Sequence, residues 1–213
     1  MKYATFLPNL LILSLLLLLA TPALSAQTTP APKGHEHHHD TSLMTEPTMQ
    51  NLDTRSIYHL DSVWKNQDGK DTPLRSLKDQ SLVLAMVYTS CQYVCPVIVS
   101  DMKRIEKGLS GEQLKTIKFV VVSFDPKRDT PVALKTFAKK RHLDEDRWIL
   151  LTGTPDQVLE LANALGVKYK QDPNGDFSHS NIIHIVDVAG VVKHQQIGTN
   201  IAPGKSLEVL RGF

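Results

Sequence analysis

The sequence predicts an α/β fold: a central β-sheet flanked by helices, with a β-hairpin extension on its N-terminal side. Three observations predict it. Short, continuously apolar runs in SLVLAMVYT, IKFVVVSFD and RWILLTG have the length and composition of strands buried on both faces. Segments with helical apolar spacing alternate with these runs, and such alternation implies helices laid on a sheet. Polar–apolar alternation with glycine turns brackets the set on both sides, as hairpins do.

SIYHLDSVWKNQDGK alternates apolar and polar residues and turns at Asp68-Gly69, which predicts the first hairpin. Ser81 to Thr89 is the first buried strand. Beyond the segment that holds both cysteines, PVIVSDMKRIEKGL sets Val97, Met102, Ile105 and Leu109 at helical spacing, with Gly108 and Gly111 near the end. Ile117 to Asp125 is the second buried strand. Thr130 then suits an N-cap and Pro131 the first helical position. The third strand leads into TPDQVLELANALGV, where Thr154 and Gln157 have capping-box spacing, Pro155 opens the first turn and Gly166 lies past the end. NIIHIVDVAGVVKHQQIG reads as a closing hairpin turning near Ala189-Gly190, and a short helix over Lys205 to Arg211 ends the chain.

The 213-residue chain is 41% hydrophobic, enough for one sizeable core. Its net charge of +2 gives no general electrostatic case for nucleic acid or an acidic membrane surface. Three regions follow from composition. Residues 1–26 read as a secretory signal: Lys2, then an apolar run from Leu10 to Ala20 that is short for a transmembrane helix, then small residues for cleavage near Ala26. Residues 27–53 are rich in Thr, Pro and His and poor in large apolar residues, the composition of a flexible tether. Residues 54–213 are expected to form the folded domain. The expected location is the periplasm, with a membrane-anchored form as the alternative if the apolar run stays uncleaved.

Cys91 and Cys95, in TSCQYVCP, are both cysteines of the chain and stand at the C-terminal end of the first buried strand. They could form a structural disulfide, exchange disulfides or bind a metal. A structural bridge closing so short a loop stabilises little. At i and i+4, entering a helix, both side chains can emerge on one face, and the helix N-terminus favours thiolates. Thioredoxin-like folds present their thiols at this place. Their redox members typically space the cysteines by two residues and carry a proline before a late strand. Here three residues intervene, and His179 in FSHSN stands where that loop would approach. Two thiolates and an imidazole make a soft three-ligand set, suited to Cu(I) and able to accommodate Cu(II). A structural zinc site would want a fourth protein ligand, and no third cysteine exists. The bland alternative for His179 is a solvent-exposed loop histidine, so the residues alone leave the metal and redox readings open.

YTSCQYVCP, SFDPKRDTP, LTGT and HSNIIHIVDVAG, in this order, together resemble the SCO/SenC family, thioredoxin-like copper proteins that assist assembly of cytochrome c oxidase. The resemblance runs from about Ile57 to the C-terminus, and the pairing of C-x-x-x-C-P with D-P-x-R-D-T is specific. It implies Cys91, Cys95 and His179 as copper ligands, whereas His184 lies inside the strand pattern and does not match. It also implies a role for Asp125, which could orient a ligand or tune thiol ionisation from behind the ligands. Arg128 and Asp129 read as a local ion pair and helix start.

The function so implied is a metallochaperone delivering copper to the CuA-type site of the oxidase, coupled to the redox state of the cysteines. Its expected partner is the copper-site subunit, with another periplasmic copper carrier or a thiol reductase beside it and no small-molecule substrate. The alternative is an enzyme, a thiol–disulfide reductase that keeps the oxidase cysteines reduced. A peroxide-reducing enzyme fits less well, because it needs an arginine that the sequence does not place. The tract HEHHHD puts His35, His37, His38 and His39 in the tether, with Met44 and Met49 beyond, an arrangement suited to loose auxiliary capture of copper or zinc.

Overall fold

The computed structural model describes residues 53–213. After a 3-10 turn at Ile57–His59, β1 (Val63–Asn66) and β2 (Asp71–Pro73) form the first hairpin. Then come β3 (Ser81–Val87), α1 (Val94–Lys107), β4 (Ile117–Ser123), α2 (Pro131–Lys140), β5 (Trp148–Thr152) and α3 (Pro155–Leu165). A short ribbon, β6 (Tyr169–Gln171) and β7 (Phe177–His179), precedes the closing hairpin of β8 (Ile182–Val186) and β9 (Val192–Ile197), and α4 (Gly204–Arg211) ends the chain.

Seven strands make one sheet in the order β2-β1-β5-β4-β3-β8-β9, and β6–β7 is a separate two-stranded sheet. Strands β3, β4 and β5 are parallel, while β1 and β8 pair antiparallel with β5 and β3. Right-handed crossovers lay α1 and α2 on one face of this sheet. There the Lys103 ammonium on α1 reaches the Arg141 carbonyl at the end of α2, at 2.9 Å. All seven residues of β3 are buried, as its unbroken apolar run requires of a strand with neighbours on both edges. Phe119 on β4 stacks on Trp148 of β5 with ring centroids 4.9 Å apart, and both are fully buried.

The predicted helix ends hold. The Thr130 hydroxyl accepts from the Ala133 N–H, Thr154 and Gln157 form the reciprocal capping box, and Gly166 takes the left-handed conformation at φ 70°. Three features differ from expectation. Ile57 and Tyr58 do not open a strand: the Ser56 hydroxyl accepts from the Tyr58 N–H and the buried Tyr58 hydroxyl donates to the Leu77 carbonyl, which curls the chain into a 3-10 turn. Helix α1 begins at Val94, so Cys91 lies in the loop before it rather than in its first turn. The β6–β7 ribbon has strands of three residues each, too short for alternation to signal in the sequence.

Candidate functional site

The apolar run of β3 ends at Val87, and the next residues cross the C-terminal edge of the sheet, where ligands of open α/β sheets bind. Tyr88 remains buried there, and the Cys91 N–H turns back to the Tyr88 carbonyl at 3.4 Å. Helix α1 has no side-chain cap at Tyr93, but the Cys95 N–H is directed at the Cys91 sulfur at 3.4 Å. Cys91 thus occupies the position of an anion at a helix N-terminus.

The two free thiols are unequal. Burial alone would push the Cys91 thiol up. The backbone N–H groups of Cys95, Tyr93 and Val94 outweigh it, so its pKa lies below the usual thiol value. Cys95 is fully buried, and burial pushes its thiol well above that value, with the neighbouring Cys91 charge adding to the rise.

His179, at the end of β7, is brought to this pair. Its Nε2 lies 3.6 Å from the Cys95 sulfur, and its Nδ1 is 3.1 Å from the Ser180 carbonyl. A carbonyl can only accept, so Nδ1 carries the proton and Nε2 presents its lone pair to the thiol. Burial lowers the pKa of His179, with the Ser180 bond opposing in part, which favours this neutral form. The ring packs 4.8 Å from Phe124 and edge-on to Tyr88 at 6.2 Å.

The sequence-predicted trio therefore meets at one place, but it is not gathered around one point. Among the described residues no three His, Cys, Asp or Glu groups stand in a geometry ready to hold an ion. His179 and Cys95 are in contact, and Cys91 is joined through the Cys95 N–H. An open cleft of about 410 Å³ adjoins them, with Tyr93, Asp176 and Asn181 in its wall. The chemistry of the donors, two sulfurs and a neutral imidazole nitrogen, fits a soft monovalent ion such as Cu(I).

Asp125 is buried, but its carboxylate is taken by Arg128 rather than by a cysteine or by His179. This also corrects the expectation of an Arg128–Asp129 pair. Asp129, read from sequence as a helix start, is fully buried and accepts from the Thr89 N–H, the Thr89 hydroxyl and the Ser123 hydroxyl. It ties the cysteine loop to the end of β4. Tyr88 was missed as well: it borders the cleft beside Cys91, and burial, with the neighbouring Cys91 thiol adding to it, pushes its pKa up to about 12. The only sequence signal for either is position, Tyr88 before the cysteine motif and Asp129 inside the D-P-x-R-D-T run. His184, set aside in the sequence, is buried in β8 with Nε2 3.0 Å from the Leu165 carbonyl, remote from the thiols. His35, His37, His38 and His39 lie outside the described residues, as does the segment read as a signal.

The chain is similar to several known proteins. A SCO1 protein homolog of Bacillus subtilis is 29% identical over 143 residues, covering 66% of this chain and 74% of its own. A Stutzerimonas stutzeri relative, named "Putative copper-binding protein", is 31% identical over 143 residues, covering 65% and 68%. The solved structure of BsSco, a member of the Sco family of cytochrome c oxidase assembly proteins in which a disulfide switch is identified, is 26% identical with a TM-score of 0.62, covering 72% of this chain and 94% of that one. The fold is accordingly thioredoxin-like, as expected. The SCO1/SenC family model matches residues 55–208, nearly the whole of the described domain, and the chain belongs to that family.

Proposed function

We propose that this chain binds copper in the assembly of cytochrome c oxidase, holding the ion between Cys91, Cys95 and His179 and passing it to the oxidase subunit that houses the CuA-type site. The observation that carries this reading is the contact of the His179 Nε2 lone pair with the Cys95 sulfur beside an open cleft. Copper is cargo here, and the protein's part is to present donors that can be exchanged. An open three-donor site suits that task, because an incoming thiolate can add before a leaving one departs. The copper-binding name of the Stutzerimonas relative and the assembly role of the Sco family support the reading. Export to the periplasm and coupling of delivery to cysteine redox state belong to the same proposal, since disulfide formation would remove both sulfur donors.

A second reading is favoured by the inequality of the thiols. With Cys91 lowered and accessible from the cleft, and Cys95 raised and buried, the pair has the asymmetry of an attacking and a resolving cysteine. As a reductase, the Cys91 thiolate would attack a partner disulfide and expel one partner thiolate. Cys95, losing its proton, would then attack Cys91 sulfur and release the second, leaving Cys91–Cys95 oxidised.

Anaerobic Cu(I) titration of the reduced protein, with Cys91→Ser and His179→Ala beside it and X-ray absorption to count donors, separates the two. One copper with two sulfurs and one nitrogen, weakened in both variants, supports the carrier. Weak binding that ignores His179→Ala would discard it in favour of the reductase.

A further inference from the structure

We propose that Arg128 is the latch that seats the β6–β7 ribbon, and with it His179, against the cysteine pair; the functional part of this rests on the copper-site reading above. The ribbon shares no strand pairing with the seven-stranded sheet. A lone two-stranded ribbon is marginal in water, so its placement depends on contacts made from outside it. Arg128 follows β4, and its guanidinium meets four groups at once. Nε donates to the Asp125 carboxylate, and Nη2 donates to the Gly175 carbonyl at 2.6 Å, in the turn between β6 and β7. The same guanidinium carbon lies 5.8 Å from the ring centroids of both Tyr88 and Phe177. Tyr88 directly follows β3 on the way to the cysteine loop, and Phe177 stands on β7 two residues before His179. One side chain thereby spans the end of β4, the approach to the cysteines and the ribbon.

The chemistry requires arginine. Buried Asp125 fixes the direction of the planar fork, which leaves another N–H aimed at Gly175 and sets the delocalised cation beside the adjoining Tyr88 and Phe177 rings. Lysine offers a point charge that can satisfy Asp125 but not the whole bridge. The rings of Phe177 and Tyr169 also pack on Phe124, at 5.2 and 5.5 Å, so the ribbon keeps an apolar seat when the latch is removed. What it loses is a fixed position, and the imidazole of His179 moves with it. Arg128 is thus a positioning residue that acts on the thiols through His179. Asp125, expected from the sequence to influence the ligands, does so through Arg128.

The test pairs residue-resolved amide hydrogen exchange of the reduced protein with anaerobic Cu(I) competition titration. It uses wild type, Arg128→Ala, Arg128→Lys, His179→Ala and the Arg128→Ala/His179→Ala double variant. Arg128→Ala is expected to speed exchange at amides of β6 and β7 by about tenfold while those of β3 and β4 stay unchanged. It is expected to weaken copper about tenfold, with Arg128→Lys between, and to add nothing once His179 is gone. Unchanged ribbon exchange overturns the latch, and so does a full additive loss in the double variant. If His179→Ala leaves copper affinity unchanged, the copper-site reading falls, and the exchange data still decide whether Arg128 holds the ribbon. Should Arg128→Ala also loosen β3 and β4, Asp125→Asn cuts the fork at constant volume and must give the ribbon-selective change, or the latch is wrong.

Discussion

Asp129 and Thr89 are joined twice: the buried Asp129 carboxylate accepts both the backbone N–H of Thr89, at 2.9 Å, and its hydroxyl. A third bond comes from the Ser123 hydroxyl at 2.6 Å. The carboxylate therefore replaces the sheet pairing that β3 and β4 give up as they end, and it holds the loop leading to Cys91. Removing it leaves three donors without their acceptor in a site water hardly reaches. Asp129→Ala is expected to lower stability by about 3 kcal/mol, since each buried donor left unpaired costs about 1–3 kcal/mol and hydroxyls can partly re-pair. Urea unfolding checks this. A loss within about 0.5 kcal/mol, the range of ordinary surface changes, would show that the loop is held by something else.

The thiols are expected to differ in chemical reactivity. The thiolate is the nucleophile, so a lowered pKa keeps Cys91 reactive at neutral pH, while the raised pKa and burial of Cys95 silence it. With iodoacetamide at pH 7, the reduced protein should show one fast site. Cys91→Ser should remove that phase and Cys95→Ser should keep it, with rates apart by about tenfold or more. Mass spectrometry of the modified peptides reads the outcome. Equal rates, or Cys95 first, would contradict the order of the pair.

Much of this was legible in the sequence because its signals were local and long enough. The run Ser81 to Val87, the cap at Thr130 and the box at Thr154 and Gln157 each need only a few neighbouring residues to be read. Cys91, Cys95 and His179 were readable through motif spacing and resemblance. Their detailed roles were not, because the inequality of the thiols depends on which one receives the helix N–H groups and which is enclosed. Asp129 and Arg128 exchanged their expected parts for a similar reason. Adjacent charges in D-P-x-R-D-T suggest a pair with each other, but the turn after β4 sends Asp129 inward to Thr89 and Arg128 across to Asp125 and Gly175. The ribbon that carries His179 is held by tertiary contacts and leaves almost no periodic trace.

Gly190 lies at the far end of the sheet from the thiols, in the β8–β9 turn beside the N-terminal 3-10 turn. Its φ is +82°, and a Cβ there would stand 2.5 Å from both the Ser56 hydroxyl and the Tyr58 ring. The Ile57 N–H bonds the Gly190 carbonyl at 2.9 Å, so the two segments cannot simply part. Gly190→Ala is expected to cost about 2–4 kcal/mol from backbone strain and overpacking together. Thermal or urea unfolding measures the loss, and the Cys91 alkylation rate should stay at the wild-type value below the transition. An alanine variant as stable as wild type would mean that Ser56 and Tyr58 yield freely.

His184 makes stability depend on pH. It is fully buried in β8, and burial lowers its folded pKa, with the bond to the Leu165 carbonyl opposing in part. In the unfolded chain the imidazole titrates near pH 6.5. Below about that pH the unfolded state binds a proton that the native state refuses, so stability falls as the solution is acidified. The limiting slope is about 1.4 kcal/mol per pH unit for each such group. His179 is shifted in the same direction and adds to the slope, while half-exposed His194 adds less. His184→Gln should preserve a donor toward Leu165 and remove one group's share of the slope between pH 6.5 and 5, whatever its effect at pH 7.5. Urea unfolding of the reduced, copper-free protein across that range is the measurement. If the variant keeps the full wild-type slope, the buried histidine that resists protonation is not His184.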